Sequence, residues 1–174
     1  MPIRTDEMQK AYHLLEHPEE YPGLVSRQEC DRQFLLLQYP NFKPYTSWSL
    51  FQGGRRYWVR RVEWDRSKHI PFHDTDPFTY GSEIQCPKEL AQETLAALHS
   101  LTFRPLIQLD GIGLDGTTYG VSVGNYLLSC NIRWWCTPPD EWNKVAVWFR
   151  KTVSAFEPLL PESSCRRVKL QFDF

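Results

Sequence analysis

The sharpest chemical pattern in the chain is His13-Leu-Leu-Glu16-His17. On a helix, His13 and His17 share a face four residues apart. With a glutamate between them, this is the H-x-x-E-H arrangement with which inverted zincins bind a metal and supply a base. Pro18 follows at once, and the residue before a proline is pushed out of helical geometry. No helix supplies a clear third ligand. The residues therefore read as two histidines at a helix end, near the negative pole of its dipole, and no metal is assigned.

A second gathering lies at His69, His73, Asp74 and Asp76, with Glu83 nearby. Loops of this composition assemble hard-metal or mixed sites, but the spacing matches no defined motif. A solvated loop with Asx turns at Asp74 and Asp76 is the simpler reading. A small metal- or ligand-binding enzyme using the 69–83 loop is kept as an alternative. The stretch Asp110-Gly-Ile-Gly-Leu-Asp115-Gly116 is glycine-rich, yet it lacks G-x-G-x-x-G and no helix pattern follows it, so the logic of a phosphate cradle fails. Asp115-Gly116 reads instead as a turn. No Gly-x-Ser-x-Gly elbow occurs. No catalytic residue and no cofactor is assigned.

Arg60 and Arg61 stand beside Trp58 and Trp64, with Arg55, Arg56 and Arg66 near. Rings for stacking and arginines for phosphates suggest an RNA-binding sheet over 55–66. Against this, the formal net charge is −1, whereas nucleic-acid binders carry a basic excess. A hairpin with one buried ring face and snorkelling arginines is preferred. RNA binding remains a second alternative.

The elements that must position these residues follow from periodicity. Met8, Ala11, Tyr12 and Leu15 recur at helical spacing and predict a helix from Thr5 to about Glu16. Ser26 followed by Glu29 is a capping-box signal for a second helix closed by Pro40, with Phe34 and Leu37 inside; the run from Phe34 to Leu37 fits a strand equally well. Residues 45–52, Gly53-Gly54 and residues 55–65 predict a hairpin. Trp58, Arg60, Val62 and Trp64 share one face of its second strand, and Tyr57, Val59, Arg61 and Glu63 the other. Residues 67–82 read as a loop. Pro87 opens a helix to about Ser100 that buries Leu90, Ala91, Leu95 and Leu98. Residues 117–123 and 128–135 alternate as strands about a turn at Gly124-Asn125. Thr137 caps a last helix, with Pro138 at its first position and Trp142, Val145, Ala146, Phe149, Val153 and Phe156 as its apolar stripe. Residues 168–174 alternate as a final half-buried strand. The prediction is one α+β domain over residues 1–174, an antiparallel sheet of about five or six strands with helices packed mainly on one face.

Bulk composition bounds the rest. The chain has 174 residues, 41% hydrophobic and 24% charged, enough for one core without staples. Five widely spaced cysteines, without a C-x-x-C, read as buried free thiols in a reducing compartment. The N-terminal residues carry no apolar signal core and no apolar run reaches membrane-spanning length, so a cytoplasmic protein without a membrane partner is expected. Aromatics reach 14%, with seven Trp, eight Tyr and ten Phe, so a core built from large rings is expected, with some rings also at the surface. Trp and Tyr left at a surface are favoured binding anchors. Trp134-Trp135 puts one indole on each face of its strand, and an outward Trp beside Arg133 has the composition of an interface hot spot; the preferred reading is that the helix or the C-terminal segment covers both.

The stretches Gly113-Leu-Asp-Gly-Thr-Thr-Tyr-Gly120, Ile132-Arg-Trp-Trp135 and Thr137-Pro-Pro-Asp-Glu-Trp142, with Thr79-Tyr-Gly-Ser82 before them, resemble a widespread group of small uncharacterised bacterial proteins. The likeness spans roughly residues 78–157. If the shared motif marks a site, it comprises Asp115, Thr117, Thr118, Arg133 and Trp135. The structural reading, which is preferred, is that Asp115-Gly116 makes a turn, the threonines start a strand, and Trp135 and Trp142 staple a helix to the sheet. By analogy with immunity proteins of bacterial toxin systems, which such proteins resemble in size and composition, the expected function is non-enzymatic protein binding. The expected partner is a protein, of which a toxin is one kind; no nucleic acid is expected, and the chain is expected to be a monomer or small homo-oligomer.

Overall fold

The structure, a computed structural model, describes residues 6–68, 76–104, 115–124 and 129–161. Its centre is a continuous apolar run. Phe34, Leu35, Leu36 and Leu37 are all buried, which a strand achieves only when both of its faces are covered. They lie in β1 (Asp31–Pro40), which replaces the expected capping-box helix; Ser26 does no more than meet the Gln28 side chain and amide. The predicted hairpin forms from β2 (Tyr45–Gly53) and β3 (Arg56–Trp64), but its turn lies one residue later than expected: Gly53 still pairs with Arg56, the turn residues are Gly54-Arg55, and of the two glycines Gly54 takes a positive φ, 60°.

Residues 79–82, expected in a loop, open β4 (Thr79–Cys86). The strand has little apolar signal because its buried positions carry small or polar groups. Thr79, Ser82 and Cys86 are buried, and Gly81 lies under the Tyr21 ring, where a Cβ would sit 2.4 Å from Cε1. With β5 (Thr117–Gly124) and β6 (Ser129–Trp135), the strands form one antiparallel six-stranded sheet in the order β4-β3-β2-β1-β5-β6.

Three helices cover it. α1 (Asp6–Glu16) packs Ala11, Leu14 and Leu15 against Leu35, Leu37, Val62 and Trp64 on one face. α2 (Lys88–His99) and α3 (Asn143–Phe156) share the other face. There Phe149 meets Trp48, Tyr119 and Trp134 edge-on, and the Trp148 indole donates to the Thr94 carbonyl at 3.2 Å, fastening α3 to α2. α3 begins later than Thr137 predicts. Pro139 holds its own backbone extended at ψ 151° and disfavours a helical Pro138 before it, so a 3-10 turn at Asp140–Trp142 precedes the helix. Pro87 likewise stands just outside α2, its carbonyl accepting the Ala91 amide. No helix of the described residues is long and apolar enough to cross a membrane. Asn125 of the expected Gly124-Asn125 turn, Leu128 at the expected start of the next strand, the strand at 168–174, and His69, His73, Asp74 and Cys165 lie outside the described residues.

Candidate functional site

Strand parity decides which of the residues singled out from the sequence meet. In β5, Thr118, Gly120 and Ser122 point to the α1 side of the sheet. Across from them β6 places Trp135, Arg133 and Asn131. No helix of the described residues covers this half of the face, and Asn131, Arg133 and Trp135 are exposed. Thr117 has the opposite parity and turns towards α3; its carbonyl accepts the Cys136 amide at 2.8 Å. Asp115 precedes the strand. Its Oδ1 accepts from Asn41 Nδ2 at 3.1 Å, and the Asn41 amide donates to the Gly116 carbonyl at 3.2 Å. The β1–β2 turn is thereby locked to the start of β5. A Cβ on Gly116 would lie 2.0 Å from Cys136 Sγ and 2.6 Å from Trp135 Cζ2, so the closure of β6 over this end depends on glycine there. Cys136 itself sits at φ 53°, a region that non-glycine residues rarely adopt.

The same end carries Phe42, which is 88% exposed, and Trp135, which is 36% exposed. Sequence reasoning missed Phe42 because it lies in the turn Asn41-Phe-Lys-Pro44, outside any strand pattern. Its one sequence signal is a large ring among polar turn residues.

Behind this end, a trough of about 330 Å³ runs between α1 and β5–β6. Gly120 and Ser122 form its floor, with Glu16, His17, Arg32 and Arg133 around it. The link between α1 and β6 is the pair Arg133 Nη2 to Glu16 Oε1 at 2.8 Å. Arg32 donates to the Glu16 carbonyl and to Glu19, both at 2.8 Å. A wider depression of about 780 Å³ adjoins it, lined by Arg27, Asp31, Arg32, Ser129 and Cys130 among others. Both arginines at the first trough already have carboxylate partners.

The other candidates fare differently. His13 and His17 stack with ring centroids 4.6 Å apart, but each is paired with a carboxylate: His13 Nε2 with Glu20 at 3.0 Å and His17 Nδ1 with Glu19 at 3.5 Å. The hydrogen bond from His13 holds the Glu20 carboxyl below its ordinary range, against a smaller opposing effect of burial. Among the described residues no group of three or more His, Cys, Asp or Glu is placed to hold a metal ion. Arg60 and Arg61, the core of the RNA alternative, are both buried. Arg60 bonds Glu83 through Nε at 2.9 Å and donates to the carbonyls of Pro18, at 2.6 Å, and Val25. Its burial lowers the guanidinium pKa while Glu83 opposes that shift. Arg61 Nη1 pairs with Glu157 at 2.5 Å. Glu83, a proposed member of the 69–83 loop site, is also held by Arg27 at 2.6 and 3.2 Å. Trp134 is buried against Tyr119 and Phe149, while its neighbour Trp135 faces outward. No family model, curated protein or solved structure matches the chain.

Proposed function

We propose that this chain is a non-enzymatic protein-binding domain that contacts its partner through the sheet end formed by Phe42, Asp115, Thr118, Arg133 and Trp135. The observation that carries the reading is the pairing of two exposed rings, Phe42 and Trp135, with a backbone held in place from both sides by Asn41, Asp115 and Gly116. A ring on a rigid support loses little conformational freedom on binding. Centrally placed aromatic and arginine side chains are the residues that dominate interface energetics. An immunity-type inhibitor that occludes a toxin's active site is the form of this reading suggested by the sequence analogy. The alternatives have less support, since Glu83, Arg60 and Arg61 are committed to internal ion pairs.

The test is quantitative affinity capture from a native lysate with wild type, Phe42→Ala, Trp135→Ala and Val147→Ala. Val147 is 41% exposed on α3, on the opposite side of the sheet. A protein retained by wild type and Val147→Ala but depleted at least tenfold (~1.4 kcal/mol) by the two ring variants supports the reading. Equal retention by wild type and all three variants, or no retained protein, refutes it.

A further inference from the structure

The trough between α1 and β5–β6 is short of acceptors. Its volume of about 330 Å³ lies at the lower end of the range of small-ligand sites. Two guanidinium groups, Arg32 and Arg133, line it with Ser122 and Asn131, and Glu16 is the one carboxylate among its described lining residues. Neither guanidinium is used up. Arg133 reaches Glu16 Oε1 through Nη2, and Arg32 serves both the Glu16 carbonyl and Glu19 through Nη1. Among the described residues no hydrogen bond takes the Nε or the second Nη of either side chain. A guanidinium carries five N–H donors in a planar fork matched to a carboxylate. Tyr39 adds to the surplus. Its hydroxyl is buried without a hydrogen-bond partner, a condition that asks for an explanation. Burial raises the pKa of its phenol, the Glu16 carboxylate adds to that rise and Arg133 opposes it, so the three groups stand at the same end.

Strand register shapes the floor. Leu37, Gly120 and Arg133 form one row across β1, β5 and β6, and Leu35, Ser122 and Asn131 form the next. Gly120 leaves a gap in its row: a Cβ there would lie 3.3 Å from Leu37 Cβ and 3.5 Å from Arg133 Cγ. Leu35 and Leu37 back the gap with apolar surface, while Arg133 stands on its other side. The Arg133–Glu16 pair is wet, with side-chain exposures of 53% and 38%, and such a pair gains little from its mutual attraction. A second carboxylate can therefore share or take this guanidinium at small cost.

We propose that this trough binds a small aliphatic carboxylate. Its carboxyl lies in the open fork of Arg133, with Ser122 and Asn131 as further donors, and its chain rests over Gly120 against Leu37. Arg32 adds a second positive charge at the rim. The carboxylate is that of a free acid or of an acidic side chain, and the two are separated below. The inference does not rest on the protein-binding reading, although Arg133 belongs to both surfaces.

Titration of the full chain with butyrate, followed by amide NMR at constant pH and ionic strength, tests it. The expected result is saturable shifts at Gly120, Ser122, Asn131 and Arg133 with a Kd of ~1 mM or tighter, and none with butyramide, which has the same shape without the charge. Arg133→Gln is expected to weaken binding at least tenfold. Glu16→Gln breaks the same ion pair but keeps the guanidinium, so it should leave binding unchanged or tighter. Ser122→Leu fills the floor without touching an ion pair and should abolish binding. N-acetylglutamate amide in place of butyrate identifies the source: tighter binding than butyrate assigns an acidic side chain, weaker binding a free acid. Shifts that do not saturate, an equal response to butyramide, full binding by Arg133→Gln, or equal losses in Arg133→Gln and Glu16→Gln overturn the site.

Discussion

Arg60 shows how a charge survives in a core. Its side chain is fully buried, yet Glu83 balances its charge and backbone carbonyls occupy its remaining donors. Removing one member of such a group strands the other. Arg60→Ala is therefore expected to cost ~3–5 kcal/mol in urea unfolding. Arg60→Lys should recover little of it, because an ammonium cannot reproduce the planar fork that reaches Glu83 and two carbonyls together. The cysteines, expected to be buried, divide instead, and of the described ones Cys86 alone is buried. Burial pushes the Cys86 thiol up to about 11, so it stays protonated at neutral and mildly alkaline pH, whereas Cys130 and Cys136 are exposed. Iodoacetamide at pH 8 should label Cys130 and Cys136 in the native protein and spare Cys86, as peptide mass mapping would show; Cys86 labelling should begin only as pH approaches 11 or the chain unfolds. Arginine in an apolar strand was visible in the sequence as an anomaly. Its partners were not, because Glu83 meets it through the β3–β4 register and the Pro18 and Val25 carbonyls through the packing of the segment that follows α1, all far from it along the chain.

Among the elements, β4 depends on a close approach. Tyr21 is buried and its hydroxyl is engaged by Thr79, so the ring has little freedom to retreat from a new methyl group at Gly81. Gly81→Ala is expected to destabilise by ~1–3 kcal/mol, the usual range for overpacking, measured as a fall in the urea midpoint at unchanged slope. The same strand was hard to see because its buried positions, Thr79, Ser82 and Cys86, offer no apolar alternation. β1 failed in the opposite way. Phe34 to Leu37 is apolar at every position, and such a run carries neither period. The β2–β3 hairpin, β5, β6 and the apolar stripe of α3 were legible because one side of each is wetter than the other, or because glycine marks the turn. The start of α3 was not, since Thr137 and Pro138 make a valid local signal that Pro139 overrides. The candidate site was legible in part. Thr118, Arg133 and Trp135 fall on one face by parity alone, and Asp115 reaches the same end through Asn41, but Phe42 and Glu16 enter only in three dimensions.

For the molecule as a whole, the two faces of the sheet differ in kind. The α2–α3 side is one large aromatic core in which Phe149 touches Trp48 of β2, Tyr119 of β5 and Trp134 of β6, joining both halves of the sheet. Phe149→Ala is accordingly expected to lower the cooperative unfolding free energy by ~3–5 kcal/mol, with fluorescence and circular dichroism reporting one coincident midpoint shift. The strand order has a further consequence during synthesis. β1 sits at the middle of the sheet, flanked by β2, which follows it directly, and by β5, which begins at Thr117. A ribosome that has released only β1 to β4 has released a meander able to pair with itself but lacking α3 and the strands that finish the sheet. One flank of β1 then presents a row of unpaired backbone groups beside four consecutive large apolar side chains, the geometry that invites pairing with a neighbouring nascent chain. Brief pauses in translation before β5 should therefore reduce the soluble yield more than pauses after α3.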